Sequence, residues 1–172
     1  MCNSFIFEGK TCLRPINNAD KDIFIKWYNN IDIRKDIGGM IPFTEAEFME
    51  ACLMKQKINP PSIWFSVCVN GNVVGTAGLH QIKYIQRNSE ISILIGEDKY
   101  RNKGIATSAI KLLNEYAFNN LQMHRLYACV FSDNKPSIGL FTKCGYKMEG
   151  TLKDAAYWNG VYRDVLIFGM VK

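Results

Sequence analysis

The sequence predicts an α/β (α+β) fold: a three-strand meander followed by a β-α-β-α-β half. Three observations carry this. Asn70-Gly71 separates two strand-like runs, Ile63 to Val69 and Val73 to Tyr84, and both turn positions tolerate the positive φ of a two-residue hairpin. Ile105, Ala109, Ile110, Leu113, Tyr116 and Ala117 form one helical stripe, which follows the apolar run Glu90 to Ile95 through a short basic loop. His124 to Phe131 is near-continuously apolar, the pattern of a strand covered on both faces.

The remaining elements follow in order. Thr11 to Pro15 reads as a short strand, and Asn17-Asn18-Ala19-Asp20 offers a cap for a helix with Ile23, Phe24, Trp27 and Tyr28 on one side. Gly38-Gly39-Met40-Ile41-Pro42 cannot continue a helix. Thr44-x-x-Glu47 is a capping box opening a second helix, with Phe48, Met49, Cys52 and Leu53 as its apolar side. Asn59-Pro60-Pro61 interrupts the pattern before the meander, whose return strand carries Gly75 and Gly78. Pro136 near the start and Gly145 at the end bracket another helix. Tyr146 to Leu152 and Val161 to Val171 pair around Trp158-Asn159-Gly160. No repeat or linker interrupts 1–172, so one domain is expected.

Composition narrows the function. Apolar residues at 48% and charged residues at 22% suit a folded, water-exposed chain. A net charge of +5 suits an anionic cofactor and falls short of a nucleic-acid-binding tail. No apolar run reaches the ~18 residues of a membrane span. Met1-Cys2-Asn3-Ser4-Phe5 lacks the basic-then-apolar order of a signal peptide. The six cysteines (Cys2, Cys12, Cys52, Cys68, Cys129, Cys144) are scattered without a C-x-x-C, so a reduced, cytoplasmic protein is expected. Neither histidine pairs with a cysteine at ligand spacing, so no metal site is expected.

Tyr100-Arg101-Asn102-Lys103-Gly104-Ile105-Ala106-Thr107 joins a strand to a helix start. A helix start has N–H groups without intrahelical partners and a partial positive charge. Gly104 permits close approach, Ala106 keeps the next turn small, and Arg101 and Lys103 add charge, together making a site for a diphosphate. The bland reading is a βα turn with solvated basic residues. There is no G-x-x-x-x-G-K-[ST] and no G-x-G-x-x-G, so neither a P-loop nor a dinucleotide fingerprint is present.

Arg101-x-x-Gly104-x-Ala106 resembles the acetyl-CoA pyrophosphate loop of the GNAT N-acetyltransferase superfamily. Asn134-x-x-Ser137, with Leu140-Phe141 and Cys144-Gly145-Tyr146, is similar to that superfamily's second signature, about 30 residues downstream. The resemblance implies a mixed, mostly antiparallel central sheet flanked by about four helices, with acetyl-CoA as cosubstrate. Leu13-Arg14-Pro15, Trp27-Tyr28-Asn29-Asn30, Tyr146 to Gly150 and Asn159-Gly160-x-Tyr162-x-Asp164 resemble the branch of ribosomal-protein N-terminal and spermidine acetyltransferases.

From the resemblance, backbone groups of Ile93, Leu94 and Ile95 would hold the pantetheine arm. N–H groups from Asn102 through Lys103, Gly104, Ile105 and Ala106 to Thr107 would hold the diphosphate. Asn134 would bond the arm, and Lys135 or Lys143 would meet outer phosphates. The acceptor is a primary amine of a small molecule or a protein N-terminus. With a pKa near 10, about one such amine in a thousand is neutral at pH 7, so a base is needed; the developing oxyanion needs donors. Glu90 is the candidate base; an exposed strand-end glutamate or a ligand for the substrate cation are its alternatives. His80 is the runner-up. Many members use a tyrosine where this chain has Phe141, which has no proton to give, so Ser137 is the candidate for stabilising the thiolate and Tyr146 the alternative.

The acceptor pocket is expected from Trp27 and Tyr28 to Met40, with Tyr157 and Trp158, although core packing is the better account of Trp27. Glu45, Glu47 and Glu50 could recognise a polyamine or form a solvated face. A catalytically silent acyl-CoA-binding sensor is the competing class, to which Phe141 gives weight. No nucleic-acid or membrane partner is expected, and C-terminal edge strands make a homodimer plausible.

Overall fold

The computed structural model describes residues 5–38, 41–53 and 58–172. Its strands are β1 (Ile6–Glu8), β2 (Thr11–Pro15), β3 (Ile63–Val69), β4 (Asn72–Lys83), β5 (Asn88–Ile95), β6 (Arg125–Phe131), β7 (Lys147–Trp158) and β8 (Val161–Val171). Its helices are α1 (Lys21–Tyr28), α2 (Ile31–Ile37), α3 (Glu45–Leu53), α4 (Ile105–Glu115) and α5 (Lys135–Lys143). The strands form one sheet in the order β1-β2-β3-β4-β5-β6-β8-β7. β1 through β5 are an antiparallel meander; β5 and β6 pair in parallel, linked by α4; β6, β8 and β7 return to antiparallel pairing.

Local chemistry explains the elements. Asn70 and Gly71 adopt φ of +50° and +82°, closing the β3–β4 hairpin in the left-handed region. Thr44 and Glu47 form the capping box: the Thr44 N–H donates to Glu47 Oε2 at 2.6 Å, and the Glu47 N–H donates to Thr44 Oγ1 at 3.3 Å. Asn17 and Asp20 form a second box over a short 3-10 turn before α1. Five helices are present among the described residues rather than about four. The chain after Asn17 breaks in two because the Asn30 side chain accepts from the Asp32 N–H at 2.9 Å and starts α2 afresh. β1 was not anticipated, as three residues carry no readable period. Beyond α4 the chain makes one π turn at Tyr116–Asn120.

The two faces of the sheet have separate cores. On one, Leu13, Val67, Leu79, Ile91, Leu126 and Val130 pack on Ala109, Ile110 and Leu113 of α4. On the other, Leu94 meets Ile16, Phe24, Trp27, Ile33 and Phe48. β6 departs from the expectation of two covered faces. Leu126, Ala128 and Val130 are buried, but Cys129 is exposed and Tyr127 and Phe131 are half-buried. On that face Cys129 hydrogen-bonds to Glu90 and the Arg163 guanidinium lies over the Phe131 ring. Cys2, Gly39 and Met40, and the side chains of Cys52 and Leu53, lie outside the described residues. No helix among the described residues is long and apolar enough to cross a membrane.

Candidate active site

The β5–β6 ladder has three residue pairs: Asn88 with Arg125, Ser89 with Leu126 and Glu90 with Tyr127. Beyond Glu90, β5 stays paired with β4 as far as Gly75 opposite Ile95, and β6 stays paired with β8 as far as Phe131 opposite Val165. Each strand keeps its outer neighbour while the inner edges part. Gly75 admits this lean: a Cβ there would lie 2.0 Å from the Leu94 carbonyl oxygen. At Gly96 a Cβ would lie 2.1 Å from the Trp27 ring, so the indole packs directly on backbone just past β5.

Parallel strands put both carboxyl ends, and the two helix starts that follow them, at one end of the sheet, the place where open α/β sheets take ligands. At the head of α4, Asn102 and Gly104 adopt φ of +57° and +77°. Ile105, Ala106 and Thr107 begin the helix, where N–H groups lack intrahelical acceptors. Lys103 is exposed. Arg101 turns back toward β5: its Nε donates to the Ile95 carbonyl at 3.3 Å and its guanidinium pairs with Asp98 at 3.1 Å.

At the head of α5, buried Asn134 accepts from the Ser137 N–H at 3.1 Å and donates through Nδ2 to the Asp36 carbonyl at 3.4 Å. Lys135 is exposed and Ser137 half-buried in the first turn. Lys143 lies in the last turn, about 13 Å away by helical rise, so it does not share that helix head.

Beside β5, on the α1–α3 face, is a cavity of about 640 Å³. Glu90, Ser92, Ile93 and Leu94 form its floor, and Tyr28, Phe43, Trp64 and His80 its aromatic wall. Glu90 accepts from Gln81 Nε2 at 3.1 Å and from the Cys129 thiol. Burial raises the Glu90 carboxyl above the ordinary carboxylate range, with the Cys129 hydrogen bond opposing. Although Cys129 is exposed as a residue, partial desolvation of its thiol where it meets Glu90, reinforced by the Glu90 charge, pushes it up to about 11, so the sulfur keeps its proton. His80 Nε2 lies 2.5 Å from Ser92 Oγ, and its ring meets Trp64 edge-on at 4.2 Å. Burial lowers His80 to about 4, so its imidazole is neutral at pH 7. The Tyr28 hydroxyl lies 2.8 Å from Thr76 Oγ1; burial pushes it up to about 12 and it stays a phenol.

The structure therefore brings Glu90, His80, Tyr28, Ile93 and Leu94 together. Other expected residues are elsewhere. Trp27 is in the core, its Nε1 donating to Glu97 at 3.0 Å. Tyr157 and Trp158 do not line the cavity: they pair with Tyr162 and Val161 at the hairpin tip, past the last β6 rung at Phe131. Glu47 reaches the cavity, whereas Glu45 pairs with Lys21 at 2.7 Å. Tyr146 is buried against Phe141, and its hydroxyl donates to Asn114 at 2.7 Å. From the expected segment Tyr28 to Met40, Arg34, Ile37 and Gly38 also line the cavity; Trp64, Thr76, Ser92 and Phe43 line it without having been singled out. Gly78 was a signal for Trp64, since a Cβ there would lie 2.8 Å from the indole.

A carboxylate with a raised pKa thus stands where the ladder ends, between two helix heads and an aromatic cavity that also holds Glu47. This arrangement can take a proton from an amine beside an extended anionic ligand.

Known proteins share this chain's sequence pattern and fold. Residues 10–147 match the family described as acetyltransferase (GNAT) domain. N-acetyltransferase p20 of Bacillus licheniformis is 29% identical over 97% of this chain and 96% of its own length. Spermidine N(1)-acetyltransferase of Escherichia coli K12 is 34% identical over 59% of this chain and 54% of its own. The crystal structure of spermidine N-acetyltransferase from Vibrio cholerae with CoA and spermine superposes with a TM-score of 0.85 at 26% identity, covering 94% of this chain and 95% of that one. With the family match running from β2 to the start of β7, the chain belongs to the GNAT acetyltransferase family.

Proposed function

We propose that this acetyl-CoA-dependent N-acetyltransferase, a single domain over 1–172, acetylates a primary amine of a cationic small molecule of polyamine type, with Glu90 accepting the proton. The observation that carries the reading is the place of Glu90, on the last rung between β5 and β6 and in the floor of the cavity. Glu47 and Glu90 supply negative charge to that cavity, and Tyr28, Phe43 and Trp64 supply ring faces suited to a cation. The spermidine acetyltransferases of Escherichia coli and Vibrio cholerae support the acceptor class.

In this reading acetyl-CoA supplies an acetyl thioester. Main-chain groups of Ile93, Leu94 and Ile95 hold the pantetheine arm as a neighbouring strand would. The N–H groups from Asn102 to Thr107 receive the diphosphate, with Gly104 allowing close approach. Lys103 and Lys135 add charge at the two helix heads, and Arg101 braces the end of β5. Asn134 lies beside the arm, and Ser137 faces the departing sulfur. Glu90 takes the ammonium proton, directly or through water, so the nitrogen can attack; the nitrogen–carbon bond forms as the carbon–sulfur bond breaks. Phe141, deep in the core, takes no part. His80, fixed by Ser92 and Trp64 and held low, orders the wall beside Glu90. A reduced, cytoplasmic setting suits the Cys129 thiol. The exposed β7 edge suits a second copy, and the Vibrio cholerae relative is described as dodecameric.

The test is thiol release from acetyl-CoA across polyamines, amino sugars, aminoglycosides and N-terminal peptides, with Glu90→Gln in parallel. A polyamine is expected to be the best acceptor, and Glu90→Gln to lower kcat/KM by about 10²–10³-fold with acetyl-CoA affinity unchanged. Wild-type kcat/KM should fall with decreasing pH through the raised Glu90 pKa. Equal activity of Glu90→Gln would sink the base assignment. No thiol release with any amine, beside clear acetyl-CoA binding, would favour the silent sensor.

A further inference from the structure

A helix leaves its last four carbonyls without intrahelical donors. In α2, the Arg34 carbonyl accepts from the Gly38 N–H at 2.8 Å. The next two are capped from the far side of the cleft. The Lys35 carbonyl accepts from Arg163 Nη1 at 2.8 Å, and the Asp36 carbonyl from Asn134 Nδ2 at 3.4 Å. Arg163 belongs to β8 and Asn134 heads α5, so the end of an acceptor-side helix is capped by the half of the molecule that carries the second signature.

Arg163 is itself fixed. Its side chain is 12% exposed. Nε donates to Asp133 Oδ1 at 3.1 Å, Nη2 donates to the same oxygen, and the guanidinium lies 4.1 Å from the centre of the Phe131 ring. A Cβ on Gly38 would lie 3.0 Å from Phe131 Cζ, and Gly38 holds φ of +78°. Arg163, Phe131 and Gly38 therefore form one stack. From α2, Arg34, Ile37 and Gly38 line the cavity. Arg34 extends the chain of bonds by donating to the Tyr28 carbonyl at 2.6 Å and to the Ile41 carbonyl. A planar fork that can cap a carbonyl, bind a carboxylate and stack on a ring at once is a property of arginine that lysine has only in part.

We propose that Arg163 is a positioning residue for the acceptor: it clasps the end of α2, and with it the cavity-lining residues Arg34, Ile37 and Ile41, to the cofactor half. The inference rests on the reading of the cavity as the acceptor site. The guanidinium also places positive charge at the negative end of α2, which favours the same geometry.

The test compares wild type, Arg163→Ala, Arg163→Lys and Asp133→Ala, the last cutting the clasp from its exposed side. Three quantities are read: acceptor KM and kcat at saturating acetyl-CoA, the acetyl-CoA Kd by calorimetry, and hydrogen exchange at the Gly38 and Phe43 amides without ligand. In Arg163→Ala, acceptor KM should rise about tenfold while kcat and the acetyl-CoA Kd change by less than about threefold. Gly38 exchange should quicken by about tenfold or more, with the β3–β4 hairpin amides unmoved. Arg163→Lys should recover part of both effects, and Asp133→Ala should fall between. Unchanged Gly38 exchange would overturn the clasp. Faster exchange with unchanged acceptor KM would reduce Arg163 to a structural contact and overturn its positioning role. A wild type that turns over no amine would overturn the cavity reading and this proposal with it, whereas Gly38 exchange would still report on the clasp alone.

Discussion

On the α4 face of the sheet, Leu79, Ile91, Leu126 and Val130 meet Ala109, Ile110 and Leu113, and a buried polar pair, Tyr146 and Asn114, satisfies itself at 2.7 Å. On the α1–α3 face the same strands present Ser66, Thr76, His80 and Glu90. Ser66 donates to Asp20 at 2.7 Å, Thr76 meets Tyr28 at 2.8 Å and His80 meets Ser92 at 2.5 Å. Among the described residues no buried side-chain nitrogen or oxygen lacks a partner. The second face is thus polar yet satisfied, and it retains an open cavity. One face is dry and closed, the other polar and open, and under the proposed function they ought to respond to mutation in opposite ways.

The largest expected effect is on the dry face. Leu113 is a fully buried α4 residue facing the sheet, so Leu113→Ala should cost about 2–5 kcal/mol in urea denaturation while leaving kcat/KM per folded molecule unchanged. If activity per folded molecule falls too, the faces are coupled and the comparison breaks.

A smaller effect belongs to His80. Its pKa is about 4 in the fold against an ordinary 6.5, so the unfolded chain takes up a proton that the folded one refuses. Stability is full above pH 6.5 and is lost as pH falls toward 4, by on the order of 3 kcal/mol at most. Urea midpoints between pH 7 and 4.5 should show this slope in wild type and lose it in His80→Asn. An identical slope would place the titration elsewhere.

The smallest effect has the opposite sign. The folded Glu90 carboxyl has a raised pKa, so the fold disfavours its charged form at neutral pH. That penalty is present above the folded pKa and fades as pH falls through the unfolded value of 4.5. Glu90→Gln should therefore raise the unfolding free energy at pH 7.5, by under about 1 kcal/mol because the half-buried carboxyl is partly screened, and the gain should vanish in acid. A destabilised Glu90→Gln would mean that the Gln81 and Cys129 bonds outweigh burial.

The dry face was largely legible in the residues. The α4 stripe is a local pattern, as are the Asn70-Gly71 turn and, on the other face, the Thr44–Glu47 box, each decided within a few residues. The polar face was legible in pieces. Glu90, His80 and Tyr28 were found, but Trp64, Thr76 and Ser92 become neighbours through the β3–β4–β5 register, which no local period encodes. Trp27, weighed between the pocket rim and the core with the core preferred, is packed on Gly96, where the missing side chain makes room for it. Arg101 was placed beside the diphosphate by its motif position, while its side chain braces Ile95 and Asp98. Tyr157 and Trp158 were misplaced because the length of the final hairpin carries them past the end of β6.

The early end of the β5–β6 ladder has an evolutionary consequence. What parted strands offer a ligand is peptide N–H and C=O, and these are the same whatever residue supplies them. Side chains at Ile93 and Ile95 answer to packing, and the demands of the loop fall on the left-handed φ of Asn102 and Gly104. Across the cleft, Tyr28, Phe43, Trp64 and Glu47 meet the cavity with their side chains. Substitution can therefore rewrite the cavity while the slot between the strands persists. Such a scaffold can change what it modifies without changing what it modifies with, and likeness to its relatives can survive in shape, at a TM-score of 0.85, when sequence identity has fallen to 26%.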